Sequence, residues 1–281
     1  MSKSSVNPVE YKTKLRQEWD NVASGWEKWW PMFEQETQVV SDRMVELAEI
    51  GAGQRVLDLA TGIGEPAITA AHLVGSRGMV VATDLSTEML AIGKKRAVQL
   101  GLENIEFRQM DAEAVDQLEG NFDAILCRWG LFFLPDLKTA LVKMRKQLAP
   151  GGRLVAAVFD KPPKVPVLSL PMKVVGDILQ RQPPPGPNVF SLSNVVALKN
   201  TFAEADFTKI QTETLNNTIE FASADDFTLF VKDVAAAVNR LISDQSPEKQ
   251  TEVWQAITQA AGQFATSDGR ILMPMTSTIV W

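Results

Sequence analysis

A glycine-rich turn is the part of the sequence whose residue types point most directly to chemistry. Gly62 and Gly64 follow the short apolar run Arg55–Leu59, and Ala67 completes the pattern GxGxxA at the start of an apolar, alanine-containing segment. Because glycine has no side chain, such a turn brings the backbone close to a ligand, and the following helix N-terminus offers free N–H groups. The pattern, placed between a predicted strand and a predicted helix, indicates a nucleotide-type cofactor.

Two aspartates near this turn narrow the identity of the cofactor. Asp84 ends the next predicted strand, 20 residues after Gly64, a spacing that suits a carboxylate bound to ribose hydroxyls. Asp58 lies inside the first strand, where it would repel a diphosphate but would suit an ammonium group or a water bound to it. Such a contact contributes about 1–3 kcal/mol. NAD and S-adenosylmethionine both fit the glycine pattern, and Asp58 favours S-adenosylmethionine.

Five segments, in order, resemble the motifs of class I S-adenosylmethionine-dependent methyltransferases, of the small-molecule type similar to the ubiquinone and menaquinone biosynthesis enzymes. The segments are VLDLATGIGEPAITAA (56–71), ATDLSTEML (82–90), QMDAEAV (109–115), FDAILCRWGLFFLPD (122–136) and LAPGGRLV (148–155). The resemblance covers residues 19–160 well and extends loosely to Thr201–Phe207. In that last stretch Asp206 replaces the usual glycine, which leaves the local turn open.

The resemblance implies a role for each matching residue. The implied cofactor-binding residues are Trp26, Asp58, Ala60, Gly62, Gly64, Asp84, Leu85, Met89, Asp111, Ala112 and Arg128. Asp58, Ala60 and the glycines would line the methionine part of the cofactor. Asp84 would bind the ribose diol, beside Leu85 and Met89. Asp111 and Ala112 would flank the adenine, and Arg128 would lie near the methyl group.

The segment GWEKWWPMF (25–33) concentrates three tryptophans near the start of the chain. In the family an N-terminal helix often covers the cofactor, with an aromatic residue three positions after an alanine, and Trp26 matches that spacing. The acceptor cavity would then be walled by Trp29, Trp30, Phe33, Trp129 and Phe132. The alternative is that these aromatic residues are core positions of an amphipathic helix. No catalytic residue is assigned, and the single histidine, His72, is interpreted as structural.

The order of the elements predicts an α/β fold. Short apolar strands alternate with helical segments, which indicates a Rossmann-like, mostly parallel seven-stranded sheet with helices on both faces. Helical periodicity predicts a first helix that ends at Pro31, a second helix over about 34–49, and amphipathic helices near 224–243 and 247–265. The expected organisation is an N-terminal helical lid (1–50), a cofactor-binding core (51–160) and acceptor-cap insertions after the fifth and sixth strands (161–281), all in one structural domain.

Composition limits the partners. The 281-residue chain carries a net charge of −6, which argues against a nucleic-acid surface. The chain has one histidine and one cysteine, Cys127, so a multi-histidine or thiolate metal site is not expected. No apolar run suits a secretory signal or a membrane span, which predicts a cytoplasmic protein. The predicted function is methyl transfer from S-adenosylmethionine to an oxygen or nitrogen of a small, hydrophobic acceptor. The alternatives are an NAD-dependent oxidoreductase and a non-catalytic cofactor-binding module.

Overall fold

The computed structural model describes residues 7–181 and 186–281. Residues 1–6 of the predicted lid, and residues 182–185 of a proline-rich stretch, lie outside these ranges. Within them the chain forms a seven-stranded sheet with the order β3-β2-β1-β4-β5-β7-β6. The strands are β1 (Arg55–Leu59), β2 (Met79–Asp84), β3 (Ile105–Gln109), β4 (Phe122–Arg128), β5 (Leu148–Phe159), β6 (Thr212–Phe221) and β7 (Ile271–Val280). Strands β1 to β5 are parallel, and β7 runs antiparallel between β5 and β6. The predicted fold class is confirmed.

Helices cover both faces of this sheet. They are α1 (Pro8–Leu47), α2 (Ala67–Val74), α3 (Thr87–Gln99), α4 (Leu137–Gln147), α5 (Pro166–Leu179), α6 (Val195–Glu204), α7 (Ala224–Val234), α8 (Ala236–Ile242) and α9 (Pro247–Ala261). Side chains alternate along each strand, so Val56 packs with α1 and α2 while Leu57 belongs to the core on the opposite face. Burial on both faces explains why the central strands β1, β2 and β4 read as nearly continuous apolar runs. Helices follow β5 and β6, as predicted.

The predicted helix end at Pro31 is wrong. Helix α1 continues through this proline as a single element of 40 residues, so the predicted second helix is its C-terminal part. An interior proline removes one hydrogen bond and costs about 3 kcal/mol. Buried side chains lie on both sides of the proline and offset this cost: Val22 before it, and Phe33, Val40 and Met44 after it. Further along the chain, the single helix predicted near 224–243 is divided into α7 and α8 at Ala235.

The described ranges contain neither a candidate membrane span nor a candidate metal cluster. No helix there is both long and apolar enough to cross a membrane. No group of three or more histidine, cysteine, aspartate and glutamate side chains in those ranges is arranged to hold a metal ion. His72 is exposed on α2, and Cys127 is buried in β4.

Candidate cofactor and acceptor site

A cavity lies where α1 crosses the carboxyl ends of the parallel strands, the usual position of ligands in open α/β sheets. It contains about 1120 Å³ of empty space, part of which is open to solvent. Most of the residues predicted for the site line it. These are Trp26, Trp30, Phe33, Ala60, Gly62, Asp84, Leu85, Met89, Asp111, Ala112, Arg128 and Trp129. Four other predicted residues, Asp58, Gly64, Trp29 and Phe132, are not part of the lining.

The glycine turn leads from β1 into α2 with an unusual backbone. Ala60, Gly62 and Gly64 all have positive φ angles, of 54°, 56° and 107°. A Cβ atom on Gly64 would lie 2.9 Å from Ile68 Cδ1, whereas one on Gly62 would meet nothing within 4 Å. Gly64 therefore shapes the turn, and Gly62 leaves its backbone open to the cavity.

Asp84 joins this turn to β2. Its Oδ2 accepts a hydrogen bond from Gly62 N at 2.9 Å, and its Oδ1 accepts one from Ser86 N at 2.9 Å. Burial raises the pKa of Asp84, and the backbone donors oppose that effect. A carboxylate oxygen has two lone pairs, so each oxygen keeps an acceptor position. The geometry fits the predicted contact with ribose hydroxyls.

Asp58 lies beneath the turn and is fully buried. Its Oδ2 accepts a hydrogen bond from Ala67 N, the first residue of α2, at 3.1 Å, whereas its Oδ1 has no hydrogen-bond partner. Burial raises the pKa of Asp58 to about 7. An unpaired buried acceptor costs about 1–3 kcal/mol, and an ammonium group or an ordered water would supply the missing donor. This orphaned oxygen fits the amino-acid end of S-adenosylmethionine.

The tryptophans of α1 face different ways. Trp26 lines the cavity and packs edge-on against Phe33, with ring centroids 5.1 Å apart, and its buried Nε1 has no partner. Trp29 points towards α7, where its Nε1 donates to Asp233 Oδ2 at 2.8 Å. Trp30 lines the cavity, and the guanidinium of Arg96 lies 4.0 Å from its ring centroid.

Phe133 lines the cavity, whereas its neighbour Phe132, which was predicted to wall it, does not. Phe132 is buried in the main core and meets Phe133 edge-on at 4.7 Å between ring centroids. The hydroxyl of Tyr11 donates to the Phe133 carbonyl at 3.2 Å. The N-terminal end of α1 therefore covers this part of the cavity.

Lys12 of α1 also lines the cavity, beside Asp111, which was predicted to flank the adenine. It forms an ion pair with Asp111 at 2.6 Å and a second one with Glu113. Asp111 Oδ1 in addition accepts a hydrogen bond from Glu113 N at 2.9 Å, so this aspartate also caps the short helical turn that follows. The contact between Lys12 and Asp111 joins the first turns of α1 to the end of β3.

Sequence reasoning missed a buried group of charges at the edge of the cavity. Glu34 of α1 and Glu65 of the glycine turn, here called the carboxylate pair, both line it. Arg96 Nη2 lies 3.8 Å from Glu34 Oε2 and 3.7 Å from Glu65 Oε1. Burial, followed by the charge of Glu34, raises the pKa of Glu65 to about 7. The position of Glu65 beside the glycines was a signal that could have indicated it, whereas Glu34 and Arg96 belong to no local pattern.

Arg128 lies at the tip of β4, as its place at the end of the strand predicted. Its Nη1 donates to Ser41 Oγ of α1 at 2.9 Å, and its guanidinium lies 4.8 Å from the ring centroid of Trp129. Trp129 in turn donates from Nε1 to Ser277 Oγ at 3.0 Å. These contacts hold the predicted methyl-facing residues between α1 and β7.

The strand order, the glycine turn after β1 and the aspartate at the end of β2 define the class I methyltransferase form of the Rossmann-like fold. The model of the ubiE/COQ5 methyltransferase family matches residues 28–177, more than half of the chain. The chain belongs to this family, and the resemblance stated from the motifs is confirmed.

Individual relatives agree with this assignment. The ubiquinone/menaquinone biosynthesis C-methyltransferase UbiE of Pseudomonas fluorescens (strain Pf0-1) is 40% identical over 119 residues, which are 42% of this chain and 46% of that protein. The chain thus spans about half the length of the curated relatives it matches.

Solved structures show the same fold at low identity. The [4+2]-cyclase SpnF is 16% identical, with a TM-score of 0.59 over 96% of this chain and 95% of that one. Phosphoethanolamine N-methyltransferase 2 of Haemonchus contortus, solved in complex with S-adenosyl-L-methionine, is 17% identical, with a TM-score of 0.58 over 100% of this chain and 60% of that one. At these identities the likeness concerns the fold alone.

Proposed function

We propose that the protein transfers a methyl group from S-adenosylmethionine to a small acceptor with an apolar body. The observation that carries the proposal is the unpartnered Asp58 Oδ1 beneath a glycine turn, in a family of methyltransferases. A buried carboxylate at this position suits an ammonium group and disfavours the diphosphate of NAD, the alternative that the glycine pattern alone left open.

In this proposal the protein binds and orients the cofactor. Asp58 accepts from its ammonium group or from a water bound to it, Asp84 accepts from the ribose hydroxyls, and Asp111 and Ala112 flank the adenine. The bound cofactor supplies a methyl group already activated on a sulfonium. The remaining tasks of the chain are alignment and exclusion of water, which can lower the barrier by several kcal/mol.

The acceptor end of the cavity is proposed to be aromatic. Phe33, Trp129 and Phe133 line it, and Phe230 of α7 stacks on Phe33 with ring centroids 6.0 Å apart. Such walls favour an aromatic, prenylated or fatty metabolite, and the net charge of −6 disfavours a nucleic acid. In this arrangement residues 1–50 act as the lid, 51–160 as the cofactor-binding core and 161–281 as the acceptor cap.

The methylated atom has two candidates. Oxygen or nitrogen needs the least help, since a phenol, carboxylate or amine of suitable pKa reacts without a strong base. Carbon is the second candidate, because the curated relatives are named C-methyltransferases.

The experiment that tests the proposal has two stages. Calorimetric titration with S-adenosylhomocysteine and, in parallel, with NADH is expected to show binding of the first alone; binding of NADH alone would redirect the search to redox substrates. A mass-spectrometric screen of phenols, reduced quinones, prenylated aromatics, fatty acids and amino acids follows, with NMR of the product to locate the methyl group. Best turnover with a polar amino acid would contradict an apolar acceptor. Binding without any transfer would favour a non-catalytic module.

Replacing Trp26 with alanine is expected to weaken S-adenosylhomocysteine binding about tenfold, equivalent to about 1.4 kcal/mol. This is close to the lower end of the range of about 1.5–3 kcal/mol that full burial of a large apolar side chain contributes. Trp26→Phe should retain most of the affinity. Trp29→Ala is the matched control, because Trp29 lies on the same helix but outside the cavity lining. Calorimetry at a temperature where all variants are folded measures the effect. If Trp26→Ala bound S-adenosylhomocysteine as tightly as the wild type, Trp26 would be a core residue that does not contact the cofactor.

A further inference from the structure

The carboxylate pair belongs to a buried group of charges that does not balance. Glu34, Glu65 and Asp58 supply three carboxylates, and Arg96 and Arg128 supply two guanidinium groups that act on them. Only 4% of the Glu65 side chain, 5% of the Arg96 side chain and 12% of the Glu34 side chain are exposed. With all five groups ionised, one negative charge is left over in a place where water compensates poorly.

The arginines compensate this excess incompletely. Arg96 Nη2 is 3.7 Å and 3.8 Å from the nearest oxygens of the pair, beyond hydrogen-bond distance, and Arg96 Nη1 donates to the Ile63 carbonyl at 2.8 Å instead. Arg128 donates to Ser41. Glu65 Oε2 accepts from Thr69 Oγ1 at 2.7 Å, whereas Glu34 Oε1 is buried with no partner. A buried carboxylate in this condition is relieved by a proton or by a nearby cation.

We propose that the carboxylate pair holds one proton in the free protein and releases it to solvent when the cationic cofactor binds, so that the site prefers the sulfonium to its neutral thioether product. This inference rests on the proposed function. S-adenosylmethionine and S-adenosylhomocysteine share their adenosine, ammonium and carboxylate groups. They differ by the methyl group and by one positive charge. The pair lines the cavity, so the ligand with the additional positive charge favours the ionised pair more strongly than the ligand without it.

The affinity for the cofactor depends on pH because binding is linked to release of the proton. In the free protein the pKa of Glu65 is raised to about 7 by burial and then by Glu34, so the proton is held below that pH. S-adenosylmethionine must then displace the proton, and its affinity falls as the pH falls. The product has no sulfonium and does not displace this proton. Both ligands carry the ammonium group that meets Asp58, whose pKa is also raised to about 7, so the pH dependence that comes from Asp58 is common to both and cancels in the ratio of their affinities. After transfer the positive charge is lost and the proton returns to the pair, so the product lacks the charge interaction that favours S-adenosylmethionine.

The test compares dissociation constants of the two ligands by calorimetry between about pH 5.5 and 7.5, below the α-amino pKa of about 7.7–8.0, so that the ammonium group stays charged in both. We expect the preference for S-adenosylmethionine over S-adenosylhomocysteine to rise about tenfold across this range. Titrations near pH 6.5 in two buffers of different ionisation enthalpy should show up to one proton more released with S-adenosylmethionine than with S-adenosylhomocysteine.

The variants Glu65→Gln and Glu34→Gln should make the preference independent of pH. Glu36→Gln, on the same helix but outside the cavity lining, should behave as the wild type. Each variant is first checked by thermal unfolding, and if a glutamine variant fails to fold, the proton counts of the wild type decide. Equal proton release by both ligands, or a preference that does not change with pH in the wild type, would overturn the inference. Failure of both ligands to bind would instead overturn the proposed function.

Discussion

Replacing Asp84 with alanine is expected to weaken binding of S-adenosylhomocysteine by about 100-fold, equivalent to about 2.8 kcal/mol. Two interactions are lost together. The carboxylate no longer accepts from the ribose hydroxyls, and Gly62 N and Ser86 N lose the acceptor that positions the glycine turn. A charge-assisted hydrogen bond contributes about 1.5–3 kcal/mol, so the effect should exceed that of any other single change in the lining.

Isothermal titration calorimetry measures this effect. Asp84→Asn should give an intermediate loss, since the amide oxygen can still accept but the negative charge is gone. Glu106→Ala is the matched control, because Glu106 is an exposed carboxylate on the neighbouring strand β3 and pairs with Arg108. Its affinity should equal that of the wild type. If Asp84→Ala bound S-adenosylhomocysteine as tightly as Glu106→Ala, Asp84 would not contribute to cofactor binding.

Replacing Gly25 with alanine is expected to lower the free energy of unfolding by about 1–3 kcal/mol. A Cβ atom at this position would lie 2.1 Å from the Asp233 carbonyl oxygen and 2.6 Å from its carbon, both of which belong to the backbone of α7. Backbone atoms cannot rotate away, so α1 and α7 must separate. The helical preference of alanine, worth about 1 kcal/mol over glycine, does not compensate for this separation.

Chemical denaturation measures the change in the Gly25→Ala variant. Gly262→Ala is the control, because Gly262 follows α9 with an ordinary helical backbone and a Cβ atom there would meet nothing within 4 Å. Its stability should be unchanged or slightly higher. If the two variants were equally stable, the close contact between α1 and α7 would not limit the size of the side chain at position 25.

The central strands β1, β2 and β4 could be predicted because each is a short, mostly apolar run between turn residues, and the parallel order follows from the alternation of strands with helices. The end of the first helix could not. Proline is a local signal, and at Pro31 the packing of distant residues outweighs it. The same reason explains the break at Ala235, where no glycine or proline marks the change from α7 to α8.

The candidate site likewise contains residues that the sequence indicates and residues that it does not. Gly62, Asp84 and their neighbours were found because their spacing is a property of one βαβ unit. Glu34 and Arg96 were missed because they come from α1 and α3 and meet only in the folded chain. Trp29 and Trp30 show that the sequence does not indicate which of two adjacent helical residues faces the cavity. Adjacent residues on a helix point about 100° apart, so only one of the two can face the cavity, and the composition of the segment does not say which.

Because α1 is one continuous helix, a small rotation at one end displaces the other end by several ångströms. From Met44, buried against the sheet, to Lys12, at the far end of the cavity, the helix extends about 48 Å at 1.5 Å per residue. A tilt of about 5° around the buried end would move Lys12 by about 4 Å, enough to break its ion pair with Asp111. Substitutions that repack the sheet beneath Val40 and Met44 should therefore change how fast the cofactor enters and leaves, although no atom there is near it.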